Sequence, residues 1–163
     1  MARTGAAYAR DKFSVTMSET QRRLTAVAII PVYGEIGKIG QVLSRFPDET
    51  VDQICLIVDC PTKSILSEIR LNSQGLRTPV KVIKNPFRRG MAQALRQGFQ
   101  FALSNSYDVI VVLSGNNKDN PQEIPRLLQP IMRDGYDYVQ GSRFLPGGSH
   151  STPFRRLAFI KLY

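Results

Sequence analysis

Five polar segments each follow directly on an apolar run: PVYGE at 31–35, DCPT at 59–62, KNPFRRG at 84–90, SGNNKDN at 114–120 and GSRF at 141–144. Together they carry Lys84, Arg88, Arg89, Lys118 and Arg143 against Glu35, Asp59 and Asp119. The planar fork of arginine holds two oxygens of a phosphate, and lysine supplies a compact charge. A carboxylate accepts hydrogen bonds from N–H or O–H groups. Such a set suits an anionic ligand that also carries a few donors.

Other chemistries find no support. His150 is the only histidine, and it stands in a Gly/Ser-rich loop, so a Ser-His-Asp hydrolase has no base to work with. GxGxxG, GxxxxGK[ST] and GxSxG are absent, which removes the dinucleotide fingerprint, the P-loop and the nucleophile elbow. Cys55 and Cys60 form neither a CxxC pair nor a zinc pattern, and reduced thiols are expected. No RNA-recognition or zinc-finger pattern occurs, so nucleic acid is not an expected partner.

The elements that must position these loops are legible from periodicity. AVAII at 26–30, QICLIV at 53–58, VKVI at 80–83, VIVVL at 109–113 and DYVQG at 137–141 read as strands. Between them lie four helical stripes. The first is Ile36, Ile39, Val42, Leu43 and Phe46; the second is Ile65, Leu66 and Ile69, stopping near Gly75. The third is Met91, Ala94, Leu95, Gly98, Phe99 and Ala102, and the fourth is Ile124, Leu127, Leu128 and Ile131. Apolar strands alternating with amphipathic helices predict an α/β domain, a Rossmann-related three-layer αβα sandwich around a mostly parallel sheet. Ligands of such sheets bind at the carboxyl ends of the strands. The five polar segments therefore share one rim, a basic crevice with a few acids, which suits a nucleoside diphosphate.

The chain of 163 residues fits one domain, with 42% hydrophobic and 21% charged residues and a net charge of +9. Its sequence pI is about 9.9. That excess favours phosphates, whether of nucleic acid, lipid headgroups or a substrate. Residues 1–23 are small, polar and basic, without the apolar core of a signal peptide, and are expected to form an arm ahead of a domain at 24–163. The longest apolar-rich run, LTAVAIIPVY at 24–33, is too short to span a bilayer. SRFLPGGSHSTP at 142–153 reads as a long loop. FRRLAFIKLY at 154–163 reads as the start of a helix, from which a C-terminally incomplete domain is expected.

Five segments appear in a characteristic order: AIIPVYGE, LIVDCPT, VIKNPFRRGMAQALRQGF, YDVIVVLSGNNKDNPQEIPRLLQPI and YDYVQGSRFLPGG. As an ordered set the chain resembles the family 2 glycosyltransferases of the GT-A fold, and among them the dolichol-phosphate mannosyltransferase-like enzymes. The resemblance implies transfer of a sugar from a nucleotide-sugar donor to an acceptor, with a polyprenyl phosphate as the expected acceptor. It implies that Pro31 and Tyr33 line the base, that Glu35 reaches toward the ribose or base, and that Asp59 accepts from a base N–H. Arg89 and Gly90, beside Arg88 at a helix start, are expected to favour an anion through backbone N–H groups and a guanidinium. Ser142 and Arg143 of GSRF match a substrate-phosphate position, and Arg155 and Arg156 a basic pair on the acceptor side. Work at the cytosolic face of a membrane, by peripheral contact with anionic headgroups, follows from the same resemblance.

One departure from the family pattern bears on the chemistry. The family carries Asp-x-Asp at the end of the fourth strand, where the acids hold Mg or Mn against the donor diphosphate. Here Ser114, Gly115 and Asn116 stand in those places. Hard divalent cations prefer anionic oxygens, so Asp119 is expected to be at most a weak ligand. Lys118 offers a fixed positive charge instead. Asn116, Lys118 and Arg143 are therefore the expected catalytic groups, with metal use either altered or absent. A nucleotide-sugar-binding module without turnover is the alternative that the missing acids leave open.

Overall fold

The computed structural model describes residues 23–142. Four strands form one sheet in the order β3-β2-β1-β4: β1 (Ala26–Val32), β2 (Gln53–Asp59), β3 (Val80–Asn85) and β4 (Val109–Val112). Every pairing is parallel. All seven residues of β1 are buried. A strand buried on both faces reads as a continuous apolar run, and β1 sits at the centre of the sheet for that reason.

The two faces of the sheet feed separate cores. Ala28, Ile30, Val32, Leu56 and Val58 pack on one side with α1 (Ile39–Ser44), α2 (Lys63–Ser73) and α4 (Ile124–Asp134). Val27, Ile29, Cys55 and Ile57 face the other side, covered by Ala94 and Ala102 of α3 (Met91–Ser104). The result is the expected αβα sandwich. The chain lays down β1, β2 and β3 in one direction and then returns past β1 to form β4. Right-handed crossovers require the connecting helix to change face when the direction reverses, and α3 does so. The reversal also opens a switch point between β1 and β4 at their carboxyl ends.

Among the described glycines the tightest packing is at Gly98. A Cβ there would lie 2.2 Å from Cγ2 of Ile29. The helical stripe includes Gly98 because only a bare α-carbon lets α3 approach β1 so nearly. Local signals set several helix ends: the Thr62 hydroxyl accepts from the Ile65 N–H at 3.2 Å at the start of α2. Gly135, at φ 71°, ends α4.

Two expectations about elements are corrected. Residues 137–141 are irregular rather than a fifth strand, and Tyr136 and Tyr138 are 60% and 74% exposed. Alternating aromatics favour a pleat only when a neighbouring strand and a buried face receive them. Among the described residues neither does. The first helix begins at Ile39, not Ile36: Gly37, at φ 75°, interrupts it, and Ile36 is left exposed. The expected N-terminal arm and the segment from Arg143 onward, including His150, Arg155 and Arg156, lie outside the described residues.

Candidate nucleotide site

The exits of β1 and β2 and the start of α3 enclose an open cleft of about 150 Å³, lined by Pro31, Val32, Tyr33, Glu35, Asp59, Arg88, Gly90, Met91 and Ala94. Pockets that engulf a small ligand run to roughly 300–1,000 Å³. This cleft therefore suits one moiety of a larger ligand. Pro31, Tyr33, Glu35, Asp59 and Gly90, picked from three different stretches of sequence, meet here.

Tyr33 is half-exposed, and the Arg88 guanidinium lies over its ring at 4.4 Å from the centroid. Such a stack at a wet site is worth about 0.5–1 kcal/mol. A ligand ring could take the place of the guanidinium on Tyr33 at that modest cost. Glu35 is turned back on its own loop, where its carboxylate accepts from the Tyr33 N–H. Burial pushes the Glu35 carboxyl up from its ordinary value, and backbone hydrogen bonds and the Lys38 charge offset this only in part.

Asp59 is the most constrained group. It ends β2, is 3% exposed, and its Oδ1 accepts from Asn85 Nδ2 at 2.8 Å. Its Oδ2 accepts from the Arg89 N–H at 2.8 Å and the Gly90 N–H at 2.9 Å. Burial alone would raise this carboxyl. The three hydrogen bonds and the Arg89 charge outweigh burial and hold it below the usual carboxylate value. The expectation that the Arg89 and Gly90 N–H groups face a ligand anion is thereby corrected: both donate inward to Asp59. Gly90, at φ 85°, adopts the backbone that only glycine takes without strain, and this lets the loop fold down onto the carboxylate. The Arg89 side chain is exposed and does not line the cleft.

The SGNNKDN loop lies beside this cleft without lining it. Gly115 donates its N–H to the Pro31 carbonyl at 3.3 Å. A Cβ on Gly115 would come within 2.8 Å of that oxygen, so the loop can rest on the end of β1 only with glycine in place. Asp119 Oδ2 accepts from the Ser114 N–H at 3.0 Å. Asn116 Oδ1 accepts from the Lys118 N–H at 3.1 Å. Asn117, at φ 64°, ties the loop to α1: its Nδ2 donates to Gln41 Oε1 at 2.7 Å, and its Oδ1 accepts from Arg45. Lys118 is exposed. Ser142 is exposed at the end of the described residues.

The oxygens of this loop are a poor match for a divalent ion. Ser114 and Asn116 are neutral, and Asn116 and Asp119 already spend oxygens on loop N–H groups. Among the described residues no group of three His, Cys, Asp or Glu side chains could hold a metal. The two cysteines are free, and burial pushes the Cys55 thiol up to about 12.

Sequence reading missed Asn85, Gln97, Gln41, Arg45 and Asn117. Asn85 carried a usable signal, a polar residue closing an apolar strand. Its role emerges only from the ladder, which sets it opposite Asp59.

A parallel sheet with a switch point and a cleft at its carboxyl edge defines a ligand-binding α/β domain. Solved structures of the same fold include glucosyl-3-phosphoglycerate synthase from Mycobacterium tuberculosis. In its complex with Mn2+, UDP and glucosyl-3-phosphoglycerate it matches with a TM-score of 0.52 and 19% identity over 68% of this chain and 40% of that one. In its UDP complex the TM-score is 0.53, with 17% identity over 74% and 46%. The domain thus has the GT-A type of architecture.

The sequence profile of Glycosyl transferase family 2 matches residues 27–161, and the chain belongs to that family. The undecaprenyl-phosphate mannosyltransferase of Micrococcus luteus is 29% identical over 77% of this chain and 51% of its own length. The polyprenol monophosphomannose synthase of Mycolicibacterium smegmatis is 30% identical over 90% and 54%. For the dolichol-phosphate mannosyltransferase of Pyrococcus furiosus the figures are 32% over 82% and 37%. The chain spans about half the length of the first two relatives.

Proposed function

We propose that this domain binds a nucleotide-sugar and transfers its sugar to a polyprenyl phosphate. The observation that carries the reading is the meeting of Pro31, Tyr33, Glu35, Asp59 and Arg88 in one cleft beside the switch point, in a chain three of whose curated relatives bear polyprenyl- or dolichol-phosphate mannose-transfer names. Tyr33 would receive the ring of the nucleoside, and the phosphates would run toward the SGNNKDN loop. A phosphate acceptor is already ionised, so its oxygen attacks the anomeric carbon without a dedicated general base. The bond from that carbon to the diphosphate breaks, and the nucleoside diphosphate leaves with the electron pair.

The leaving diphosphate needs positive charge. The oxygen donors of the SGNNKDN loop do not fit a divalent ion well, so Lys118 is assigned as the diphosphate's counter-charge, with Asn116 as a neutral hydrogen-bonding partner. Ser114 and Gly115 would border the diphosphate. Ser142, Arg143, Arg155 and Arg156 would serve the acceptor phosphate. Among the described residues no helix is long and apolar enough to cross a membrane. Peripheral contact at the cytosolic face, driven by the +9 charge, is the proposed way of meeting a lipid acceptor.

Calorimetry with UDP and GDP, each with Mn2+ or with a chelator, tests this. Binding of one nucleotide that survives the chelator is the expected result. Failure of both nucleotides to bind would overturn the donor-site reading. Binding that vanishes with the chelator would overturn the role given to Lys118.

A further inference from the structure

Behind the cleft lies a pair of side-chain amides that takes no part in the proposed reaction. Asn85, at the end of β3, is 3% exposed. Its Nδ2 donates to Asp59 Oδ1 at 2.8 Å and to Gln97 Oε1 at 2.6 Å. Gln97, midway along α3, returns a hydrogen bond from Nε2 to Asn85 Oδ1 at 3.0 Å. The Asn85 carbonyl also accepts from the Cys60 N–H at 2.9 Å.

The chemistry of this arrangement is one-directional. An amide nitrogen has two hydrogens, and Asn85 spends one on each neighbour. Gln97 holds the Asn85 amide by both ends, so Asn85 cannot turn by itself, and Asp59 Oδ1 as acceptor fixes which way the pair faces. A flipped Asn85 would present an oxygen to the Asp59 carboxylate, two acceptors face to face in a buried place. With Asn85 fixed, Asp59 Oδ1 is anchored and Oδ2 is aimed at the Arg89 and Gly90 N–H groups. Those two bonds hold the loop whose Arg88 covers Tyr33.

We propose that Gln97 is a positioning residue for the nucleotide cleft, acting through Asn85 and Asp59 to hold the 88–90 loop against the end of β2. It touches no ligand itself. The proposal rests on the donor-site reading for its consequence in binding, but its first link belongs to the ligand-free protein and is measured separately.

The experiment compares the chain with its Gln97→Met and Gln97→Glu variants. Methionine keeps the length and apolar bulk but neither donates nor accepts usefully. Glutamate keeps the acceptor for Asn85 Nδ2 but loses the donor to Asn85 Oδ1. In the ligand-free protein, backbone amide NMR is expected to show the Arg89 and Gly90 signals shifting and exchanging faster with solvent in Gln97→Met, while the Ile29 and Ile30 signals of β1 stay in place. UDP or GDP affinity, whichever the parent chain binds, is expected to weaken roughly five- to tenfold, about the worth of one buried hydrogen bond. Gln97→Glu is expected to show the same signs. Unchanged Arg89 and Gly90 amides in a folded Gln97→Met protein overturn the relay. If Gln97→Met does not fold, unchanged amides in Gln97→Glu do so. Shifted amides with unchanged nucleotide affinity overturn the link from loop to cleft. A parent chain that binds neither nucleotide overturns the donor site and leaves the amide result standing by itself.

Discussion

Replacing Asp59 with asparagine removes one charge and almost no volume, and the structure sets its cost. The carboxylate accepts three hydrogen bonds on two oxygens. An asparagine has one oxygen. Turned toward Arg89 and Gly90, it keeps the loop but sets its NH2 against Asn85 Nδ2, two buried donors face to face. Turned toward Asn85, it orphans two loop N–H groups. The first choice is cheaper: the contact between two unsatisfied donors at about 1–3 kcal/mol, plus the weakening of two charge-assisted bonds to neutral ones at about 1 kcal/mol each. Relief from burying a charge returns part of this, so the net loss is about 2–4 kcal/mol. For a domain of this size that corresponds to a fall in Tm of roughly 5–15 °C. Urea unfolding followed by circular dichroism measures it. The pH dependence is a second check. Because the folded-state carboxyl sits below its ordinary value, the unfolded chain takes up the proton first as pH falls. The stabilisation is therefore complete at neutral pH and declines below about pH 4, as the solution passes the ordinary aspartate value and then the folded one. The gap between parent and variant should narrow over that range. A variant as stable as the parent at pH 7, or a gap that persists undiminished in acid, would refute the assignment of Asp59 as the clamp of the 88–90 loop.

Two further perturbations test the packing around the site. Gly98→Ala places a methyl 2.2 Å from Ile29 Cγ2; overpacking should cost about 1–3 kcal/mol, more than the roughly 1 kcal/mol that alanine gains in a helix. Denaturant melts should show the loss, and the double variant with Ile29→Ala should be more stable than the sum of the two single changes allows. Native-state labelling with a maleimide at pH 8 should modify Cys60 and spare Cys55, whose buried thiol is pushed up to about 12. Labelling of Cys55 at the rate of Cys60 would contradict the burial of β2.

Most of the scaffold was legible because its signals are local. AVAII and QICLIV are too apolar for anything but buried strands, and both lie in the middle of the sheet. The stripe from Met91 to Ala102 has helical spacing, and α3 covers one sheet face with it. Propensity misled at DYVQG, where Tyr and Val favour a strand that needs a partner. Glycine misled at 36–38, where one positive-φ residue delays the helix past Ile36. The polar side of the site was harder to read. Asp59 was picked out as an acid at a strand end, but the direction of its hydrogen bonds depends on Asn85 and Gly90, 26 and 31 residues away.

The sequence by itself determined the four loops that follow β1 to β4 on the carboxyl rim, because alternation of apolar runs and helical stripes dictates a parallel sheet and each strand must end in the loop that follows it. It determined the family through the order of five segments, and it put neutral Ser114 and Asn116 where the resemblance leads one to expect a pair of acids. Only the tertiary structure decided what the rim groups face. Parallel register sets Asn85 against Asp59. The return of the chain past β1 lays Gly115 on Pro31, and a bare glycine at 98 lets α3 bring Gln97 to Asn85. Hydrogen bonds reach about 3 Å, so whether Asp59 meets a ligand or its own backbone depends on distances between strands and helices, which periodicity along the chain does not encode.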